Sequence, residues 1–363
     1  MCLIIQQPNY LNTRPPQPLR MVQLKWLVCY FIIVIAIPIS SGCTIYEDYD
    51  IFQDNATLSM KKQPNTARVI NIPKQVKNAT LPVVLIHGIL SSAAKIQHVA
   101  DWITNKTGAR VYNIEIGEGA STSTAMYMAL QRDLLCLAIY NISVLRGGFN
   151  IIGISQGGLL ARGYVEHCNG YKVNNLITWV SPHGGIFIPE LPMPTVYTPD
   201  VQYSSSVSNY WRDPFRYTTY LKNSSYLAKL NNENQSPSRK ADADKYKANM
   251  MKLSNFVMIW SSRDDVLRPP ESGKFSMYEP VFLPDNHPGK MDILKSQYMG
   301  PAFTLLKLQR LQETYMYKAD AIGLKTLDRT SRLHMYETDC NHADHVTPEC
   351  LEAWAHYTLP YLV

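Results

Sequence analysis

The chain has 363 residues, of which 46% are hydrophobic and 18% are charged, and its formal net charge is +6. This amount of apolar surface can build a core, and it excludes a disordered, collagen-like or disulfide-dominated chain. Half of the excess charge lies in residues 1–42, which contain Arg14, Arg20 and Lys25 and no acidic residue. The rest of the chain is nearly neutral, which argues against nucleic-acid binding, because that function needs a concentrated basic surface.

The N-terminal segment has the pattern of a secretory signal peptide. Lys25 is followed by an apolar run at 26–37 and then by the small residues Ser40-Ser41-Gly42. The run is shorter than the roughly 20 apolar residues that span a bilayer, which favours cleavage near Gly42 over a retained membrane anchor. Met21 could also begin a compact signal by itself. No later run is long enough to span a bilayer, so we expect no stable membrane span after cleavage.

Two further features agree with a protein of the secretory lumen. The candidate N-glycosylation sequons are Asn55, Asn78, Asn105, Asn141 and Asn223, with a sixth at Asn234 that is weakened by Pro237. Removal of the signal leaves five cysteines, of which Cys43 lies at the cleavage point. The other four, Cys136, Cys168, Cys340 and Cys350, are therefore the candidates for disulfides, with their pairing left open.

Apolar runs and helical patterns alternate along the rest of the chain. Buried strands are predicted at 82–86, 111–116, 149–152, 176–180 and 256–260, and helices at about 93–104, 123–140, 156–167, 301–313 and 349–358. This alternation predicts an α/β fold, with a mostly parallel sheet and helices on both faces. Residues 186–250 break the pattern and predict an insert of loops and short helices, which commonly forms a lid or wall. We expect one domain at 43–363.

The strand at 149–152 leads into a Gly-x-Ser-x-Gly nucleophile elbow. Ser155 is flanked by Gly153 and Gly157, and a helical run follows directly. Glycines on both sides allow a tight turn that lifts the serine hydroxyl to the carboxyl edge of the sheet. In hydrolases with this elbow, one oxyanion-hole amide follows the nucleophile and the other lies in an earlier strand–helix loop. These would be the amides of Gln156 and Ile89, and His87 is expected to be a structural residue of that loop.

A serine nucleophile needs a base, and the base needs an acid, in the chain order Ser, acid, His. The strand at 256–260 is followed by Asp264 and Asp265, and Asp264 is the predicted acid. For the base, His345 is the first choice and His342 the reserve, because both lie just before the final predicted helix.

A metal site is the rival interpretation of His342, Asp344 and His345. No third and fourth ligand with a recognisable spacing accompanies the His-x-x-His pair, and there is no His-Glu-x-x-His motif. We therefore expect no metal and no cofactor.

Several sequence blocks together resemble the lysosomal palmitoyl-protein thioesterases. They are His87-Gly88-Ile89, the elbow at 153–158, Asn209-Tyr-Trp-Arg-Asp-Pro214, the segment 220–231 and Phe256-Val-Met-Ile-Trp260. The similarity runs from about residue 80 to the C-terminus. The blocks at 209–231 and Ile322-Gly-Leu-Lys-Thr326 are closer to the type 2 enzymes than to type 1.

The resemblance implies an α/β-hydrolase fold, with the insert as the acyl-binding wall, and hydrolysis of fatty-acyl thioesters in the lysosome or after secretion. The implied substrates are S-acylated proteins, peptides or acyl-CoA. It implies Ser155, Asp264 and His345 as the triad and Ile89 and Gln156 as oxyanion donors. It also implies the disulfide Cys136–Cys168 and suggests Cys340–Cys350. The tail is spaced differently from either type by about a residue, which leaves the choice between His342 and His345 open.

Two other functions fit parts of the same pattern. The triad could serve an oxygen-ester lipase or esterase, or the chain could be a lumenal binding protein on a degenerate hydrolase fold. Candidate walls for an acyl chain are the aromatic residues of the insert: Phe187, Tyr197, Tyr203, Tyr210, Trp211, Phe215, Tyr217 and Tyr226.

Overall fold

The computed structural model describes residues 67–70, 80–191, 193–283, 304–353 and 355–362. The predicted signal segment 1–42 and the sequons at Asn55 and Asn78 lie outside these residues.

The described strands form one large sheet and one small pair. Strands β1 to β6 are Ala67–Ile70, Val83–Ile86, Val111–Ile116, Phe149–Ile154, Val173–Trp179 and Asn255–Ser261, and β7 to β9 are Met277–Tyr278, Leu308–Gln309 and Leu333–Thr338. The large sheet has the order β1-β3-β2-β4-β5-β6-β9, and β7 pairs with β8 alone. Within the large sheet, only β1 is antiparallel to its neighbour.

All five predicted strands are present, and the mostly parallel sheet confirms the α/β-hydrolase fold. Every residue of β2, β3 and β4 is buried, as expected for strands that are covered by helices on both faces. No apolar run marks β1 or β9, because these strands form the two edges of the sheet and most of their residues are only partly buried or exposed.

The helices that flank the sheet agree only in part with the predictions. Helices α1 to α4 are Gln97–Thr107, Ala120–Ala125, Met128–Tyr140 and Gln156–Gly163, and a π-helical turn, Tyr164–Cys168, follows α4. The prediction of one helix at 123–140 is wrong, because Met126 and Tyr127 have extended backbones and separate α2 from α3.

The predicted helix at 301–313 is also wrong over the part that the structure describes, residues 304–313. Leu308 and Gln309 pair with Tyr278 and Met277 of β7, and a 3-10 turn follows at Leu311–Glu313. Strand pairing here overrides the helical spacing of the apolar residues. Near the C-terminus, two short helices, Pro348–Ala353 and Ala355–Thr358, occupy the place of the helix predicted at 349–358.

The insert between β5 and β6 consists of loops and short helices. Its helices α5 to α8 are Pro199–Ser204, Tyr217–Asn223, Leu227–Leu230 and Lys240–Met250; after it come α9 (Tyr315–Lys318), α10 (Leu324–Arg329) and the two C-terminal helices, α11 and α12.

A buried ion pair holds the insert together. The Nε and Nη2 atoms of Arg212 lie 3.1 and 3.0 Å from Oε1 of Glu233. Nη1 of Arg212 donates to the carbonyl oxygen of Tyr278, at 2.7 Å, and the hydroxyl of Tyr220 donates to the other oxygen of Glu233. Both charged side chains are almost fully buried, so each charge depends on its partner.

Both disulfides implied by the resemblance are present. Cys136 of α3 is bonded to Cys168 at the end of the π-helical turn, with their Cα atoms 6.3 Å apart. Cys340, just after β9, is bonded to Cys350 of α11, with Cα atoms 6.5 Å apart. The first bond ties α3 to the segment behind α4, and the second closes the loop that contains His342 and His345.

Candidate active site

Ser155 occupies the tight turn between β4 and α4. Its φ and ψ angles are 53° and −124°, which is a strained backbone for a residue with a side chain. A Cβ atom on Gly157 would lie 2.5 Å from the carbonyl oxygens of Ile86 and His87, and one on Gly153 would lie 2.4 Å from the carbonyl oxygen of Gly157. Only glycines therefore let α4 begin this close to β2, and the strand–turn–helix context expected of the elbow is present.

Three side chains meet at this turn. Nε2 of His342 lies 2.9 Å from Oγ of Ser155, and Nδ1 of His342 lies 2.7 Å from Oδ2 of Asp264. Since an ionised carboxylate only accepts, Nδ1 carries the hydrogen, and Nε2 is free to accept the hydrogen of the serine hydroxyl. The other oxygen of Asp264 accepts the backbone N–H groups of Val266 and Leu267, at 2.9 and 2.8 Å, so the carboxylate is held in one orientation.

The sheet explains why these residues come together. Ser155, Asp264 and His342 follow β4, β6 and β9, which are parallel strands of one sheet, so their carboxyl ends lie along the same edge. Asp265, the residue after the predicted acid, is exposed and accepts the backbone N–H of His342 at 3.2 Å. It therefore helps to fix the loop that carries the histidine.

The structure does not place His345 at the serine. The His345 ring is buried, and its Nδ1 donates to the carbonyl oxygen of Asn341 at 2.8 Å, while Nε2 lies 2.8 Å from Oγ1 of Thr338. Burial also lowers the pKa of His345. Both ring nitrogens are engaged away from Ser155, so the geometry corrects the choice of His345 as the base in favour of the reserve, His342. In this arrangement His345 supports the turn that follows His342.

The segments that carry the predicted oxyanion donors adjoin Ser155. Gly88, which precedes Ile89, is so close that a Cβ atom on it would lie 3.0 Å from the Cβ of Ser155. Gln156 is the first residue of α4, where a backbone N–H has no acceptor within the helix. The two amides therefore come from segments that adjoin the serine.

The side chain of Gln156 forms a network that the sequence patterns did not predict. Its Nε2 donates to the carbonyl oxygen of Ser123 at 2.7 Å, and its Oε1 accepts the hydroxyl of Tyr210 at 3.1 Å. Oγ of Ser123 accepts the backbone N–H of Leu90 at 3.1 Å. The network joins the loop after β2, α2, the elbow and the insert. The only sequence signal for it is the polar residue that directly follows Ser155.

Most of the aromatic candidates for an acyl-binding wall are packed inside the protein. The buried ones are Phe187, Tyr197, Tyr210, Trp211 and Tyr226, whereas Phe215 and Tyr217 are partly buried and Tyr203 is exposed. Tyr203 lies against Tyr127 in an edge-to-face contact, with ring centroids 5.2 Å apart. A surface that receives an acyl chain can therefore use Tyr203, Phe215 and Tyr217 more directly than the buried rings.

The side chains behind the metal interpretation of the tail, those of His342, Asp344 and His345, are each bound to other protein groups. Across the residues that the structure describes, no group of three or more His, Cys, Asp or Glu side chains could hold a metal ion. Oδ2 of Asp344 accepts a hydrogen bond from the side-chain amide of Asn341 at 2.8 Å.

Among the residues that the structure describes, every helix is too short or too polar to cross a bilayer.

Comparison with known proteins assigns the family. Residues 82–342 match the model of the family described as palmitoyl protein thioesterase. The chain belongs to the palmitoyl-protein thioesterase family. It is therefore a thioester hydrolase, and the predicted family is confirmed.

The chain is similar in sequence to named thioesterases from several organisms. The chain is 35% identical to palmitoyl-protein thioesterase 3 of Dictyostelium discoideum, over 78% of this chain and 93% of the relative. It is 28% identical to palmitoyl-protein thioesterase 1 of Caenorhabditis elegans, over 76% and 89%. It is 30% identical to the lysosomal thioesterase PPT2 homolog of Drosophila melanogaster, over 71% and 84%. Because relatives of three numbered types match, the closeness to type 2 stays a prediction.

The close approach at Gly157 can be tested with one added methyl group. Replacing Gly157 with alanine should destabilise the protein by about 1–3 kcal/mol, as overpacking does, and should lower kcat because the carbonyl groups of Ile86 and His87 must move. Gly147→Ala is the matched control, since a Cβ atom there would meet nothing within 4 Å. Denaturant unfolding and kcat of both variants are the measurements. Equal effects in the two variants would contradict the packing argument.

Single substitutions test whether His342 or His345 is the base. His342→Ala should lower kcat by about 10⁴-fold or more, the effect of losing the base of a serine triad. His345→Gln should leave kcat within about tenfold of the wild type, because the residue supports the turn without contact to Ser155. Steady-state kinetics on an acyl thioester compare the two. If the His345 variant were the inactive one, the geometric assignment would be wrong.

Proposed function

We propose that the protein hydrolyses fatty-acyl thioesters through an acyl-serine intermediate on Ser155. The observation that carries the proposal is the unbroken line of contacts from Ser155 Oγ to His342 Nε2 at 2.9 Å and from His342 Nδ1 to Asp264 Oδ2 at 2.7 Å. A nucleophile, a base and an orienting acid in hydrogen-bond contact are the parts that this chemistry requires.

The first half of the reaction acylates the serine. Oγ of Ser155 attacks the thioester carbonyl carbon while Nε2 of His342 takes the hydroxyl proton, and Asp264 stabilises the resulting imidazolium. The backbone N–H groups of Ile89 and Gln156 donate to the oxyanion of the tetrahedral intermediate, and each such donor typically contributes about 2.7–4 kcal/mol. The intermediate collapses and the C–S bond breaks. The leaving group takes the proton of His342 and departs as the thiol, or departs as the thiolate while His342 releases its proton to solvent, so that His342 is neutral again.

The second half releases the fatty acid. A water molecule gives its proton to His342 as its oxygen attacks the acyl-serine carbonyl carbon. The oxyanion donors act again, the bond to Ser155 Oγ breaks, and His342 returns the proton to the serine. The same three side chains thus serve both halves, so no cofactor is needed.

A thioester fits this site because its leaving group needs little help. A thiol has a pKa of about 8.5, so a thiolate can leave with less proton transfer than an alkoxide needs. His342 can therefore act mainly as a base during acylation. The acyl chain adds binding free energy of about 0.8 kcal/mol for each buried CH₂ group, which favours long chains. S-acylated proteins, S-acylated peptides and acyl-CoA share this reacting group.

The proposed location is the lumen of the secretory pathway, with the lysosome favoured and secretion as the alternative. The predicted signal segment, two disulfides and the named lysosomal relatives support it. Three predicted sequons, Asn105, Asn141 and Asn223, lie at exposed positions where a glycan can attach. The side chain of Asn234 instead donates to the carbonyl oxygen of Leu221, at 2.9 Å, and is partly buried, which disfavours its modification.

Matched substrates test this function. We expect a palmitoyl thioester to be hydrolysed with a kcat/KM at least about tenfold above that of the oxygen ester with the same chain, because of the better leaving group. Shorter acyl chains should raise KM as methylene burial is lost. Ser155→Ala should abolish both activities and should fold normally, which circular dichroism checks.

Two results would contradict the proposal. Equal or faster turnover of the oxygen ester would favour a lipase or esterase on the same triad. Undiminished thioester hydrolysis by Ser155→Ala would exclude the acyl-serine mechanism.

A further inference from the structure

Both ring nitrogens of His87 are engaged in the interior of the protein. Nδ1 lies 2.8 Å from the carbonyl oxygen of Gly88, and Nε2 lies 2.8 Å from Oε1 of Glu115. The two side chains are only 3% and 5% exposed. The second oxygen of Glu115, a residue of β3, accepts the backbone N–H of Ala93 at 2.9 Å. Water is therefore largely excluded from a pair that spans the loop after β2.

The hydrogen bonds of this pair are compatible with two opposite charges. The Gly88 carbonyl oxygen can only accept, so Nδ1 of His87 donates to it, and with Glu115 ionised Nε2 donates as well. An imidazole that donates from both nitrogens is an imidazolium. A neutral His87 that accepts a hydrogen from a protonated Glu115 makes the same contacts, but the charged form makes charge-assisted hydrogen bonds, which are stronger than neutral ones.

The Gly88 carbonyl belongs to the peptide group that carries the proposed oxyanion donor. A peptide bond is planar and trans, so the carbonyl of Gly88 and the N–H of Ile89 point in opposite directions. His87 fixes the carbonyl end and thereby aims the N–H end. Gly88 lies against Ser155, because a Cβ atom on Gly88 would be 3.6 Å from Oγ of Ser155. The contact directly couples the His87 ring to the geometry around the nucleophile.

We propose that the buried His87–Glu115 pair is a positioning device for the oxyanion hole, which aims the Ile89 amide and places positive charge behind the Gly88–Ile89 peptide. This inference rests on the proposed function, since it needs the tetrahedral intermediate at Ser155. The imidazolium polarises the peptide and strengthens its N–H as a donor when negative charge develops on the substrate oxygen. His87 touches no reacting atom, so it is a positioning residue.

Two variants distinguish the orientation of the Ile89 amide from the effect of the charges on His87 and Glu115. His87→Ala removes the anchor of the Gly88 carbonyl, and kcat/KM should fall toward the loss of about 10²–10³-fold that follows removal of an oxyanion donor. Glu115→Gln keeps the hydrogen bonds: its amide oxygen accepts from Ala93, and its NH₂ group donates to a neutral His87 that still donates to Gly88. This second variant removes only the charges, so kcat should fall by about tenfold with KM nearly unchanged.

A transition-state analogue provides a readout that distinguishes stabilisation of the oxyanion from binding of the acyl chain. A long-chain trifluoromethyl ketone adds to Ser155 and places an oxyanion in the hole, whereas palmitate binds as product. In both variants the Ki of the ketone should rise by the factor by which kcat/KM falls, with the Kd of palmitate unchanged. His334→Gln is the matched control. This histidine pairs with Asn255 at the first residue of β6, away from the carboxyl edge, at 2.9 Å.

Parallel losses in kcat/KM and ketone affinity, absent from His334→Gln, support the inference. Folded variants with unchanged kinetics would overturn it, and so would a loss of kcat/KM with unchanged ketone affinity. If His87→Ala does not fold, Glu115→Gln alone decides by the same criteria. Ser155→Ala keeps the two claims apart, because retained activity there would refute the proposed function itself.

Discussion

The close approach of α4 to β2 is the constraint on which the rest of the site depends. The main chain at Gly157 lies so near the carbonyl groups of Ile86 and His87 that no side chain fits between them. This contact forces the turn at Ser155 into a strained conformation, brings the loop after β2 alongside the serine, and sets the first amide of α4 beside it. The nucleophile and both proposed oxyanion donors thus come from a single packing contact between two backbones.

A second set of interactions serves the histidine loop, which has no regular strand or long helix of its own. His342 is held by Asp264 at its ring and by Asp265 at its backbone. Behind it, His345 donates to the carbonyl of Asn341, and the Cys340–Cys350 disulfide closes the loop. A short loop that must present an imidazole with an accuracy of a few tenths of an ångström needs such bracing. Two titratable residues near the site, Asp265 and His345, support the loop.

Much of the fold could be predicted because its central strands are buried on both faces. Continuous apolar runs marked β2 to β6, and the glycines around Ser155 marked the elbow, since only a tight turn needs them there. Edge strands lack this signal, so β1 and β9 could not be found in the same way. The segment at 308–309 shows the opposite failure: helical spacing was present, but pairing with β7 decided the structure.

The candidate site was predictable up to the point where loop conformation matters. Ser155 and Asp264 follow directly from strands, whose direction the sequence pattern indicates. His342 and His345 are three residues apart, and their hydrogen bonds decide which ring faces the serine: Asp264 orients His342, whereas Asn341 and Thr338 hold His345 away. The contacts of Tyr210 with Gln156, and of His87 with Glu115, join residues 54 and 28 positions apart. Such contacts cannot be predicted from residue types and their spacing in the sequence.

The most direct test of the account is covalent labelling of the nucleophile. A hexadecyl fluorophosphonate should modify Ser155, as peptide mass spectrometry would show, because among the described residues this hydroxyl contacts a histidine whose other ring nitrogen is paired with a carboxylate. Labelling should persist in His345→Gln and be almost lost in His342→Ala. An adduct on another residue instead of Ser155, or labelling that depends on His345 and not on His342, would contradict the central claim that Ser155, His342 and Asp264 form the catalytic unit.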